Sequence, residues 1–245
     1  MNPKWEDDWT SDVNYEAMCN VIEDSVDHGV VLDLGCGYGR WLCSLAKHYK
    51  LVVGIDIQKD FLQWVRNYQV FLPSNVHLVQ AAVARLPIHS ATANAILAWA
   101  LLCDIPPDAI PSLFGEMSRV LKEGGRLWIV LHPFSWVAKD LIRSLLRLRF
   151  KSVASRCIVI ANSLAAYCGV ELSFLFGRRS IESFQTGRNM RRRLRRCGFE
   201  DVQIDHGRFL VVSARKCVDV SSIEQQQSSR LAPPRRHPES APGRS

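Results

Sequence analysis

Short apolar runs alternate along the chain with stretches in which apolar residues recur three and four positions apart. Val30–Leu34, Leu51–Ile55, Val76–Gln80, Ala95–Ala100 and Gly125–Leu131 read as strands. Most are apolar on consecutive positions, the mark of a strand covered on both faces. Trp41–Tyr49, Lys59–Val70 and Ala109–Leu121 have the helical spacing, and Gly124 and Gly125 after the last of them read as its stop. Strand and helix in alternation predict parallel strands joined by crossover helices: an α/β fold with a doubly wound, mostly parallel sheet.

After Leu131 the alternation lapses for some fifty residues. Within this stretch Val137–Phe150 sets Val137, Leu141 and Leu145, and Ala138, Ile142 and Leu146, at four-residue spacing, with Lys139, Arg143 and Arg147 opposite. That is an amphipathic basic helix. Cys157–Cys168 is apolar almost all round. An Arg-rich helix over Arg188–Arg196 restores the pattern, and "CGFEDVQID" and "GRFLVVSARK" then predict two strands that pair as a hairpin at the sheet edge. The expected organisation is one domain over residues 1–217, a helical lid inserted at about 133–185 after the fifth strand, and a polar, Pro- and Ser-rich tail over 218–245. The tail has too little apolar surface to order itself.

With 245 residues, 47% of them hydrophobic, the chain suits one α/β domain with a substantial core. Its net charge of +7 is unevenly spread: residues 139–196 hold fourteen Lys and Arg against three acids, so the remainder is net acidic. The basic segment admits three readings: a solvated face, an amphipathic surface against an anionic membrane or over a substrate pocket, and a nucleic-acid footprint. Arg191, Arg192, Arg193, Arg195 and Arg196 could neutralise phosphates, yet that helix lacks interleaved aromatics for base stacking. Phe174, Phe176 and Phe184 suit a core or pocket wall better. Eight cysteines without a CxxC pair argue for a reduced, cytoplasmic setting and against a metal site. The acidic start lacks a secretory pattern, and no apolar run reaches the roughly 18 residues of a membrane span.

"VVLDLGCGYGR", Val30 to Arg40, places glycines 35, 37 and 39 directly after the first apolar run. Glycines there let the backbone turn tightly and approach a ligand closely. The pattern Asp33-x-Gly35-x-Gly37-x-Gly39 is not the GxGxxG of dinucleotide-binding turns. A carboxylate at Asp33 would repel a pyrophosphate and attract an ammonium group.

Here the sequence resembles the class I S-adenosylmethionine-dependent methyltransferases, whose first motif is matched throughout "LDLGCGYG". "VVGIDIQKDFL", "ARLPIHSATANAIL", "RVLKEGGRLWIV" and "LRRCGFEDVQI" resemble later segments of the family in order. The resemblance spans about residues 15–217 and is closest to the broad group that includes ubiquinone and menaquinone biosynthesis methyltransferases. It implies a seven-stranded Rossmann-like sheet and S-adenosylmethionine as cofactor. Asp33, Gly35, Cys36, Gly37 and Gly39 would hold the methionine end. Asp56 would take both ribose hydroxyls, with Ile57 beside it; Ala82 and Val83 would border the adenine, and Ala98 would complete the contacts. Two positions depart from the family: Ala82 and Asn94 stand where acids are usual. The first departure costs one side-chain bond, about 0.5–1.5 kcal/mol.

Trp99 and His132 close the fourth and fifth strands by this reading, at the sheet edge where such folds hold ligand. Trp99 would wall the methyl site or belong to the core; His132 would be a general base or a structural histidine. Asp104 reads as the cap of the next helix, and Asp104-Ile105-Pro106-Pro107 is not the signature of nucleobase-amine methylation. The function expected is methylation, on oxygen or carbon, of a small acceptor that is fairly apolar or anionic. An RNA methyltransferase and a non-catalytic cofactor-binding protein are the alternatives.

Overall fold

The computed structural model describes residues 28–68, 72–106, 109–131, 134–147, 187–206 and 209–218, together with 153–154, 157 and 160–161. The apolar runs are strands: β1 (Val30–Leu34), β2 (Leu51–Asp56), β3 (Val76–Gln80), β4 (Ala93–Trp99) and β5 (Leu121–Leu131), followed by β6 (Phe199–His206) and β7 (Leu210–Lys216). They form one seven-stranded sheet in the order β3-β2-β1-β4-β5-β7-β6. β1 to β5 pair in parallel. β7 runs antiparallel to β5 and to β6, so the predicted hairpin exists with β7 inserted and β6 at the edge. The order reverses between β1 and β4, and at such a switch point a crevice opens at the carboxyl ends of the strands.

Side chains on alternate positions of each strand enter opposite layers. Leu32 and Leu34 of β1 join one core cluster with Leu113, Phe114 and Met117 of α3 (Ile110–Val120) and Met190 and Leu194 of α5 (Gly187–Arg196). Val31 joins the other, with Leu42 and Leu45 of α1 (Leu42–His48) and Leu62 and Val65 of α2 (Lys59–Tyr68). Helices therefore cover both faces, as a doubly wound sheet requires. α4 (Phe134–Leu146) follows β5 directly and begins three residues before its predicted start.

Several expectations are corrected. Gly124 and Gly125 do not stop α3, which ends at Val120; Leu121 is already extended and pairs with Ala93. The register then shifts between Ala93 and Ala95, and Gly124, at φ +71°, lies within that irregularity. Asp104 does not cap α3: its N–H bonds Leu101 O after the 3-10 turn Leu101–Cys103, and α3 starts at Ile110 behind Ala109. Arg193 is buried rather than offered to solvent, because it shares the inward side of α5 with Met190 and Leu194. Asn94 lies at the amino end of β4, where its Oδ1 accepts the Val30 N–H at 2.8 Å and Lys122 Nζ at 3.2 Å. It ties β1 to β4 and β5 at the edge opposite the crevice. The residues around Cys168 and the tail from 219 onward lie outside the described residues, as does most of the lid.

Candidate active site

Residues 35–39 connect β1 to α1 through three left-handed glycines, Gly35 at φ +72°, Gly37 at +52° and Gly39 at +75°. The turn is anchored to the neighbouring strand, since the N–H groups of Gly35 and Cys36 both donate to Ile55 O, at 2.7 and 3.1 Å. At Gly35 the lack of a side chain serves packing. A Cβ there would come within 2.8 Å of Leu101 Cδ1, which the left-handed Ala100 (φ +55°) turns toward it. At Gly37 it serves access, because a Cβ would meet nothing within 4 Å.

This difference separates two variants. Gly35→Ala should lower stability by about 1–3 kcal/mol through backbone strain and the displaced Leu101. Gly37→Ala should cost only about 1 kcal/mol of left-handed strain while weakening whatever occupies the open space. Thermal melts alongside cofactor titrations check both.

Two carboxylates flank the turn on adjacent strands. Asp56, at the end of β2, receives the Gly37 N–H on Oδ2 at 2.9 Å and the Gln58 N–H on Oδ1 at 2.8 Å. A carboxylate has about four acceptor sites, so each oxygen retains capacity for a further donor such as a ribose hydroxyl. Asp33 is 1% exposed, and its Oδ2 has no hydrogen-bond partner among the described residues. Burial, and secondarily the Asp56 charge, push its carboxyl up to about 7. It is no helix cap, since α1 begins behind Trp41. A buried acceptor left unmatched in this way is costly unless a ligand donor completes it.

The other predicted residues divide. Cys36 is buried, and burial together with the charges of Asp33 and Asp56 holds its thiol far above the ordinary range, so it stays a neutral wall of the turn. Ile57 is 63% exposed immediately after Asp56, an apolar surface where a flat ring could rest. Ala82 is exposed, whereas Val83 packs into the core. Ala98 is fully buried in the same cluster, so its side chain offers no surface to the crevice. His132 lies outside the described residues.

Two groups emerge, of which only Trp99 is singled out at the level of sequence. On α3, Arg119 and Glu116 form a two-pronged pair, Nε to Oε1 at 2.7 Å and Nη2 to Oε2 at 2.8 Å. Together they grip the loop after β3: Glu116 Oε2 accepts the Leu86 N–H, and Arg119 donates to Leu86 O and Ile88 O. The loop that begins at Ala82 and Val83 is thereby fixed. Arg119→Ala should loosen it, lowering stability by about 1–2 kcal/mol and raising amide exchange at Leu86. The second group is aromatic. Trp99, half-buried at the end of β4, meets the buried Trp41 at a tilt of 43° (4.7 Å between centroids) and Phe209 edge-on (5.2 Å), an aromatic cluster at the carboxyl edge of the sheet.

Among the described residues no group of three or more His, Cys, Asp or Glu is placed to hold a metal ion. Free cysteines are found at 36, 43, 157, 197 and 217.

The family model for a methyltransferase domain matches residues 31–125. Solved structures share the fold. An S-adenosylmethionine-dependent methyltransferase from Methanosarcina mazei is 22% identical, with 81% of this chain and 98% of that one covered at a TM-score of 0.57. The magnesium protoporphyrin IX methyltransferase of Synechocystis, solved with bound SAH, is 14% identical over 83% and 82% at 0.57. The cyclase SpnF is 15% identical over 83% and 81% at 0.56. No curated protein sequence matches the chain. Residues 31–125 thus match a methyltransferase domain, and the seven-stranded sheet has the fold of solved S-adenosylmethionine-dependent methyltransferases.

Proposed function

We propose that the protein methylates a small, fairly apolar acceptor bound against the Trp41–Trp99–Phe209 wall. The observation that carries the cofactor half is the unmatched, buried Asp33 oxygen beside an open glycine turn and a second carboxylate with spare acceptor capacity. These groups fit S-adenosylmethionine: Asp33 toward the ammonium end, Gly35, Cys36, Gly37 and Gly39 along the methionine, Asp56 on the ribose, and Ile57, Ala82 and Val83 about the adenine. Ala98, with no exposed surface, would act only through its backbone or as packing beneath the site.

When bound, the cofactor supplies an electrophilic methyl group on a cationic sulfur. The chain's own tasks are then to hold the acceptor in line with that methyl and to keep water out. An aromatic wall suits both, because it is stiff and apolar. By sequence position His132, next after β5, would take the acceptor's proton when an oxygen is methylated.

The exposed arginines 188, 191, 192, 195 and 196 on α5 favour a second reading, methylation of RNA. α5 packs mainly on β6, at the far edge of the sheet from β1. That distance from the crevice counts against it. Incubating the protein and labelled cofactor with a metabolite extract, and separately with RNA, distinguishes the two. Label should enter small apolar products, and Trp99→Ala should reduce that transfer at least tenfold, while cofactor affinity changes less than about threefold. Label entering RNA alone, or transfer indifferent to Trp99, would overturn the acceptor assignment.

A further inference from the structure

α4 turns outward apolar side chains that a helix merely covering a core would bury. Among the side chains of α4 that the structure describes, Ser144 is buried, at 6% exposed, and Leu141 half-buried, while Ile142 (57%), Leu145 (52%) and Leu146 (79%) face outward. Among the described residues the only other large hydrophobics so exposed are Ile57 and Val218. Three of five therefore crowd onto two turns of one helix. At about 3.6 residues per turn, Lys139, Arg143 and Arg147 fall in a row beside this apolar stripe, all three exposed. One acid, Asp140, accompanies them in the sequence from 134 to 147.

We propose that α4 lies in the surface of an anionic membrane, with Ile142, Leu145 and Leu146 among the upper acyl chains and Lys139, Arg143 and Arg147 on the headgroup phosphates. An outward apolar stripe flanked by a basic row is the arrangement of helices that rest in the interface plane. The helix has 13 residues, about 20 Å in length. It is too short to cross the roughly 30 Å hydrocarbon layer, and no described helix is long and apolar enough to do so. A protein partner or RNA would answer only half of the pattern. RNA phosphates would use the basic row and leave the leucines wet, while an apolar protein groove would leave three cations facing it unmatched. A bilayer carrying acidic lipids answers both. α4 begins three residues after the end of β5, at the carboxyl edge of the sheet, so the crevice would open near the bilayer surface. The inference does not depend on the acceptor proposed above, because it is read from partitioning and not from turnover.

The test is flotation of the full chain with phosphatidylcholine vesicles, with and without phosphatidylglycerol. Wild type should float only with the acidic vesicles and be released by high salt. Each basic residue near such a surface contributes roughly a fivefold gain in partition, so Arg143→Ala with Arg147→Ala should lower it by about 30-fold. Leu145→Ser with Leu146→Ser should lower it at least tenfold. Both double variants should keep the wild-type circular dichroism and melting temperature, since these side chains already face solvent. No binding to acidic vesicles, equal binding to neutral ones, or binding unaffected in either variant would overturn the proposal. So would a wild-type dimer in solution that Leu145→Ser with Leu146→Ser converts to a monomer.

Discussion

Replacing Asp33 by Asn should stabilise the cofactor-free protein at pH 8 while weakening its grip on S-adenosylmethionine. In the fold, burial and the neighbouring Asp56 raise this carboxyl from 3.8 to about 7. The folded state therefore holds a proton that the unfolded chain has released over the window between those two values. Stability from this group is full below about pH 4 and is lost as pH climbs toward 7. At pH 8 the ionised carboxylate opposes folding by up to about 4 kcal/mol. The amide is nearly isosteric, carries no charge and removes that opposition. Melting temperature should rise several degrees at pH 8, change little near pH 4, and in the variant lose much of its decline across the interval. Cofactor affinity should fall by tens to hundreds of fold, the loss of about 2–3 kcal/mol expected when a charged hydrogen-bond partner is withdrawn. Equal melting temperatures for both proteins at pH 8 would sink the electrostatic account, and equal affinities would remove Asp33 from the site.

Asp56→Ala should be the more damaging change for binding. Two hydrogen bonds from hydroxyls to a charged acceptor contribute about 1.5–3 kcal/mol each, so the dissociation constant should rise by about a hundredfold or more. The same substitution strips the Gly37 and Gln58 N–H groups of their acceptor, which should cost about 1–2 kcal/mol in the melt and slacken the turn. Asp56→Asn keeps one oxygen and should fall between. Isothermal titration gives the affinities. A dissociation constant within threefold of wild type for the alanine variant would refute the ribose assignment.

The glycine turn was legible in the sequence because its chemistry is local: an apolar strand, then residues whose backbone must turn where side chains hinder it; Asp56 came only with the family resemblance, and its place beside that turn is a matter of strand pairing. Strand centres were legible for the same reason, as were both ends of β1 and β3, but the starts of β4 and β5 were not. Asn94 looks too polar for a buried strand and cuts off Ala93 before it, and Gly124 reads as a helix stop until its place in the β4–β5 irregularity is known. Asn94 reads as a missing ligand only while its position at the amino end of β4 is unknown. The Glu116–Arg119 pair looks like an ordinary surface pair one helical turn apart, because the backbone it grips lies about thirty residues earlier. Phe209 could not be assigned to the wall, since its meeting with Trp99 depends on β7 entering the sheet beside β5.

A buried carboxyl poised near neutrality, placed where the proposed cofactor's ammonium group would rest, has one more effect. When an ammonium group settles against Asp33 it favours the ionised form, and the displaced hydrogen ion passes to the buffer. The measured heat of association should then vary with the buffer's own ionisation enthalpy, and affinity should climb with pH before levelling off above 7.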